Sequence, residues 1–292
     1  MQPGSPRRGG RRVCGGGATS PLRMSLSPAI RTEIGVQLQR CLPVVLSFLF
    51  RKGTEVMTII VLGHLGPAEL AAGALALSTT ATLAYSVFVG LAAGTATLVS
   101  QAHGAGDKEQ VTFWLHRAII VHLGVAIPLS ILLTLLGPIL RCMGQETRLA
   151  TSAGSFGLAL LPAVWAWSMN WVLVPWLQSQ GIVRPQFVCA AIIAGLHPFF
   201  LWGLVHRLGL GMLGAAVANS LSLCTMTLLL GIAIAGCSHR VGAAPMCALS
   251  RASFERLPTF LRLGLPGVLL MSEWWASEVS PAISAATAAL GQ

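Results

Sequence analysis

Two carboxylates and two tryptophans lie close together in an apolar stretch near the end of this 292-residue chain. Glu273 is followed directly by Trp274 and Trp275, and Glu278 comes shortly after them. An ionisable side chain inside a membrane segment is costly, so it is expected to act as a proton relay, an ion site or a cation-binding group. A tryptophan face beside it adds a favourable contact for a cation. The stretch is typical of a place where protons and an organic cation compete for one negative charge.

The spacing of these residues predicts different roles for them. Glu273 lies more than one helical turn inside the apolar run that begins near Phe260, which favours it as the proton-coupling group. Glu278 is nearer the end of the run, and about 140° around a helix from Glu273, so the two carboxylates are not expected to clamp one ligand. Trp274 is the candidate for contact with a cation, while Trp275 is expected to pack elsewhere or lie at the membrane interface.

The chain that must position these residues has the composition of a multispan membrane protein. Hydrophobic residues make up 54% of it and charged residues only 10%, an apolar balance that soluble domains do not reach. Crossing the hydrocarbon core takes about 20 mostly apolar residues, and about seven windows meet this length. They predict an all-α polytopic fold. The windows are 41–62, 71–98, 113–140, 156–177, 187–204, 212–234 and 260–279.

The windows also predict a domain organisation. Residues 1–40 are expected to be a disordered basic tail, 41–236 a six-helix transmembrane bundle, 237–258 a cytosolic linker, and 259–292 the first helix of a second bundle. The net charge of +10 comes from loops and the tail and not from one face, so nucleic acid is not indicated. Most Lys and Arg residues fall on one side of the predicted spans, which places the N-terminus in the cytosol.

No pattern in the chain indicates an enzyme, a metal site or a cofactor. The seven cysteines show no CxxC spacing, and the seven histidines are scattered. His122 and His197 are expected to be packed or interfacial residues and not ligands. The chain contains no Walker A sequence, so ATP-driven export is not supported.

Two features inside the spans lead to local predictions. Arg51 and Glu55 are four residues apart in the first window, which predicts an ion pair along one helix face. The fourth window carries several tryptophans, for which an aromatic girdle at the membrane surface is favoured over a cavity lining. These tryptophans are Trp165, Trp167, Trp171 and Trp176.

Several segments, in the right order and spacing, resemble the multidrug and toxic compound extrusion (MATE) transporters. The resemblance covers roughly Leu42 to Glu278, and its last element is similar to the seventh helix of eukaryotic members. The segments are Gly63–Gly66, Glu69–Ala72, Ser100–Gly106, Gln178–Gln186, Leu210–Asn219 and Glu273–Trp275.

This resemblance implies a proton-driven antiporter that exports organic cations and other amphiphilic compounds, built from two six-helix bundles around a central cavity. It implies that Glu273 is a protonatable carboxylate and Glu278 a second acidic position. Asn219 and Gln180 fall on polar positions of the family, in the cavity or with a structural role. The family's chain continues for about five or more helices, so most of a second bundle is expected to be missing here.

Two alternatives to an antiporter stay open. The chain could be a non-transporting half that acts as an interaction or regulatory fragment, pairing with a full-length or second-half partner. It could also be a lipid flippase of related architecture. For each of them a lipid bilayer is the expected surroundings, either the plasma membrane or a vacuolar or other endomembrane.

Overall fold

The computed structural model describes residues 28–236 and 258–273. Over these ranges every regular element is a helix, which confirms the all-α prediction. The described residues fall into two units divided between Gln39 and Arg40, and the packing below lies within the second. The helices are α1 (Pro28–Leu65), α2 (Pro67–Gly104), α3 (Lys108–Thr134), α4 (Leu136–Cys142), α5 (Thr147–Ala159), α6 (Leu161–Ser179), α7 (Arg184–Arg207), α8 (Gly211–Gly236) and α9 (258–273).

Within the described residues, four helices are long and apolar enough to cross a membrane, namely α2, α3, α7 and α8. The pair α5 and α6, bent by 53°, provides a fifth crossing if it counts as one broken span. Helix α1 covers the first predicted window but carries Arg51, Lys52 and Glu55 in its middle. The seventh window lies partly outside the described residues. In lipid, helices satisfy every backbone hydrogen bond internally, which is why apolar stretches of this length fold as helices.

Helix boundaries differ from the predicted windows at three places. Helix α1 begins at Pro28, ahead of the predicted end of the tail at residue 40. The window 113–140 contains two helices, because α3 ends at Thr134 and α4 begins at Leu136. Pro138 lies in the first turn of α4, where its missing N–H costs nothing, whereas within a continuous helix it would remove a hydrogen bond. The window 156–177 is also broken, because α5 ends at Ala159 and α6 begins at Leu161, and Pro162 likewise lies in the first turn of α6.

The ends of the helices gather at two opposite ends of the second unit. One hollow is lined by the residues Arg40, His103 and Gly181, from the start of the second unit and the ends of α2 and α6. Another is lined by Leu65 and Arg148, with residues from the starts of α2 and α8. Successive crossings therefore run in opposite directions, as expected for short connections between neighbouring helices.

Small residues let the helices approach closely. A Cβ added to Gly154 of α5 would lie 3.0 Å from the Cα of Gly137 in α4, so the two backbones are nearly in contact. Gly267 of α9 would place a Cβ 2.7 Å from the carbonyl oxygen of Gly90 in α2. Glycine at helix interfaces is the usual means of close packing between membrane helices. These contacts determine which helix faces meet.

Candidate functional site

Helix α1 has a polar face that points into the protein and an apolar face that points out. Ser47, Thr54 and Thr58 are buried, at 3%, 9% and 1% exposure. Their spacing of seven and then four residues places them on one side of a helix, together with Arg51. The outer side carries large exposed hydrophobic residues, as suits contact with lipid. These are Leu42, Val45, Leu49, Val56 and Ile60.

The polar face of α1 forms one wall of a cavity whose other walls come from α6, α7 and α8. The empty space in this cavity, including the solvent at its open mouth, is about 840 Å³. Both aromatic rings and polar side chains line it. The aromatic residues are Phe48, Phe50, Trp167 and Trp171, and the polar ones are Ser47, Thr54, Asn170, Gln178, Gln186, Asn219 and Ser222.

Arg51 is the charged residue of this cavity, and aromatic side chains surround its guanidinium. The guanidinium carbon lies 5.4 Å from the ring centre of Tyr85, 5.4 Å from that of Trp171 and 5.6 Å from that of Phe48. Its Nη2 donates a hydrogen bond to the Tyr85 hydroxyl at 3.1 Å. Ring faces within about 6 Å attract a guanidinium through the negative charge density of the π system. The charge is therefore held by aromatic contacts at the cavity wall.

The predicted ion pair of Arg51 with Glu55 is wrong. Glu55 instead accepts a hydrogen bond from the Lys52 ammonium at 2.6 Å, and the two side chains are 36% and 62% exposed. The Arg51 guanidinium lies instead against the rings of Tyr85 and Trp171. A spacing of four residues allowed the pair, but the packing of α2 and α6 against α1 decided the partner.

A π-helical turn places Tyr85 beside Arg51. The turn covers Ala81–Tyr85 in the middle of α2, and Tyr85 is its last residue. Tyr85 also makes edge-to-face ring contacts with Trp167 and Trp171, at centroid distances of 5.8 and 5.1 Å. Insertions of this kind are frequent at functional sites, because they rotate the following side chains relative to a regular helix. Sequence reasoning missed the turn, since no residue type marks it.

Three of the four tryptophans of the fourth window contradict the predicted girdle. Trp167 and Trp171 line the cavity, and Trp176 is completely buried, with its indole N–H donating to the carbonyl of Val111 at 3.2 Å. Trp165, at 39% exposure, is the one that faces outward. Trp167 and Trp171 are four residues apart and so share a helix face, a spacing from which a common cavity lining could have been predicted.

A chain of hydrogen bonds behind the cavity joins α1, α7 and α8. His197 is fully buried, and its Nε2 lies 3.0 Å from the Thr58 hydroxyl while its Nδ1 lies 2.7 Å from the Ser222 hydroxyl. Thr58 donates its own proton to the carbonyl of Thr54, so His197 must donate from Nε2 and accept at Nδ1. His122 is also fully buried. Both histidines are thus packed residues, as predicted.

The predicted site residues fall at different places. Asn219 of α8 lines the cavity. Gln180 lies apart from it at the end of α6, where its amide donates to the carbonyl of Trp176 at 3.0 Å. Glu273 is the last described residue of α9 and is exposed in this chain. Trp274 and Glu278 lie outside the described residues, so their roles stay predictions. No cluster of His, Cys, Asp and Glu in the described part of the chain could hold a metal ion.

Comparison with known proteins places this cavity in a known fold. The MatE family profile matches residues 43–203. The chain is 34% identical over 230 residues to Protein DETOXIFICATION 14 and 31% identical over 258 residues to Protein DETOXIFICATION 16, both of Arabidopsis thaliana. These matches cover 77% and 86% of this chain but 46% and 51% of the relatives. The chain therefore spans about half the length of the curated relatives it matches.

Solved structures give the same result. The crystal structure of the eukaryotic MATE transporter AtDTX14 matches with a TM-score of 0.78 and 29% identity, over 87% of this chain and 56% of that one. A crystal structure of MATE in the bent conformation matches with a TM-score of 0.70 and 24% identity, over 78% of this chain and 50% of that one, and shows similarity of fold alone. Together these matches confirm the resemblance that the sequence motifs predicted.

Proposed function

This chain belongs to the MatE family of transporters, and we propose that it forms the first half of a secondary transporter that exports amphiphilic organic compounds across a membrane. The observation that carries the proposal is the cavity between α1, α6, α7 and α8. Aromatic walls with a few placed polar groups are typical of sites that bind small organic molecules. Two of the walls, α7 and α8, are apolar enough to span a membrane. A compound bound there would therefore lie between the two faces of the membrane.

Export against a gradient requires coupling to the movement of an ion. We propose that this ion is the proton and that Glu273 is the residue that binds it. A carboxylate that holds either a proton or an organic cation makes the two bind in competition. By thermodynamic linkage, protons entering from one side then release the cation that was taken up from the other side. No covalent step is needed. Glu273 is the last described residue of α9, a helix that packs on α2. Trp274 is the proposed cation contact beside it, and Glu278 is proposed as a second acidic position that does not share its ligand.

The proposal predicts transport by the chain in proteoliposomes with an acidic interior. We expect a fluorescent organic cation to accumulate inside when the pH gradient is present and to leave when it is collapsed. Glu273→Gln should abolish accumulation, because the amide cannot exchange a proton. Glu109→Gln is the matched control, since this exposed carboxylate lies in the first turn of α3, and it should transport like the unchanged chain.

Two results would contradict parts of this assignment. Transport by Glu273→Gln at the normal rate excludes Glu273 as the coupling residue. Absence of transport by the unchanged chain, although it is inserted and folded, means that this chain is a half that needs a partner. Adding a separately expressed second half of a relative to the same vesicles then tests whether transport is restored.

A further inference from the structure

The cavity of the first bundle carries a charge of the opposite sign to that of the second site proposed at Glu273. The positive charge in the cavity is the guanidinium of Arg51. Among the described residues, the wall of this cavity contains no Asp or Glu. The acidic residue nearest to Arg51 along α1, Glu55, does not line the cavity and is paired with Lys52. A cation entering this cavity would therefore meet a positive charge with no carboxylate to offset it.

The cavity wall also has unused hydrogen-bond donors. Among the described residues, the Tyr85 hydroxyl is the one acceptor that the Arg51 guanidinium reaches. The Nε of Arg51 has no acceptor there. The indole N–H groups of Trp167 and Trp171 likewise have no acceptor in the described part of the chain. A buried donor without an acceptor is unfavourable. The three donors belong to neighbouring side chains, since the Arg51 guanidinium lies over the Trp171 ring and both tryptophans contact Tyr85.

We propose that this cavity binds an aromatic organic anion, a carboxylate or a sulfonate, with Arg51 as its recognition residue. The acceptor oxygens of such an anion would pair with the guanidinium, which favours planar oxyanions because it offers parallel N–H donors. Its ring would lie among Phe48, Trp167 and Trp171. The inference rests on the proposed transport function and names a substrate class for this cavity. Organic cations are then left to the site at Glu273.

The opposing interpretation is that Arg51 has a purely structural role and that its aromatic neighbours stabilise its charge without any ligand. The two interpretations differ in a measurable way. A structural arginine stabilises the fold whatever ligand is offered, whereas a recognition residue distinguishes ligands of the same shape by the sign of their charge.

The test uses a matched pair of probes, naphthalene-2-sulfonate and 2-naphthyltrimethylammonium, titrated into the full chain in a non-ionic detergent. Binding is followed by quenching of tryptophan fluorescence and by calorimetry. We expect the sulfonate to bind at least about tenfold more tightly than the ammonium. Arg51→Gln should remove this preference by lowering the affinity for the sulfonate about tenfold, and Arg51→Lys should keep part of it because it keeps the charge.

Lys52→Gln is the matched control, because it removes the same charge one residue away on the outer side of α1, where the side chain is 62% exposed. It should leave both affinities unchanged. Equal binding of the two probes, tighter binding of the ammonium, or unchanged sulfonate affinity in folded Arg51→Gln overturns the proposal. A short-chain phosphatidylglycerol is titrated in parallel, because a lipid phosphate offers the same charge without a ring. Tighter binding of this lipid than of the sulfonate also overturns it.

This experiment is independent of the transport assay. Sulfonate binding without any transport leaves the substrate class standing and contradicts only transport by this chain without a partner. Transport of an organic cation without sulfonate binding supports the proposed function and contradicts the substrate class proposed for this cavity. A chain that binds neither probe, although it is folded, overturns the assignment of this cavity to anions.

Discussion

The guanidinium of Arg51 donates a hydrogen bond at 3.1 Å to the hydroxyl of Tyr85, 34 residues further along the chain. The bond joins the polar face of α1 to the π-helical turn of α2, and both residues also contact Trp171 of α6. Three helices are thus tied together at one point of the cavity wall. The stability of the bundle and the position of its charge therefore depend on the same contact.

Replacing Tyr85 with Phe should destabilise the bundle without removing its aromatic packing. The substitution deletes the acceptor of a charged donor in a partly buried place, which costs about 1–2 kcal/mol. We expect a lower midpoint of thermal unfolding in detergent. Lys52→Gln, which breaks an exposed ion pair on the same helix, should change the midpoint very little. Equal midpoints for Tyr85→Phe and the unchanged chain would show that the hydrogen bond contributes nothing measurable.

The hydrogen bonds of His197 with Thr58 and Ser222 predict a strong effect of removing the imidazole. His197→Ala leaves two buried hydroxyls without their partner and opens a cavity among α1, α7 and α8, at a cost of about 3 kcal/mol. His64→Ala is the control, because His64 is exposed and bonds only to the carbonyl of Ile60 in its own helix. Thermal unfolding of both variants measures the difference. A similar small effect of the two substitutions contradicts the structural role of His197.

The close approach of α4 and α5 predicts that Gly154 tolerates no side chain. A Cβ there would lie 3.0 Å from the Cα and 3.2 Å from the nitrogen of Gly137, and backbone atoms cannot move aside as a side chain does. Gly154→Ala should therefore destabilise by about 1–3 kcal/mol. Gly195→Ala, in the exposed face of α7 with nothing within 4 Å of the new Cβ, should be neutral or slightly stabilising. Unfolding by a graded denaturant compares the two variants, and equal stability would falsify the proposed contact.

Residues at opposite ends of the second unit are expected to face opposite sides of the membrane. With a cytosolic N-terminus, Cys142 at the end of α4 lies on the far side, whereas Glu109 at the start of α3 lies on the cytosolic side. Both side chains are exposed. We expect an impermeant maleimide to label a chain with Cys142 as its sole cysteine in sealed membranes whose outer face is the non-cytosolic one. A sole cysteine introduced by Glu109→Cys should react only after permeabilisation, and the reverse pattern means an inverted topology.

The sequence by itself determined the helices, the family and the alternating direction of the crossings. Apolar stretches of about 20 residues must become helices because lipid offers no partner for a free backbone group. The motifs from Gly63 to Asn219 lie at the ends and starts of helices and in the loops between them, where local geometry constrains the residue type. For this reason short segments were enough to predict the resemblance.

The tertiary structure alone decided what surrounds Arg51. Sequence spacing offered Glu55 as its partner, since that residue is near along the chain. Tyr85 and Trp171 are far along the chain, and which faces of α2 and α6 meet α1 depends on the packing of whole helices and on one π-helical turn. Such contacts between distant segments cannot be read from periodicity, because periodicity shows that a face is buried but not what it is buried against.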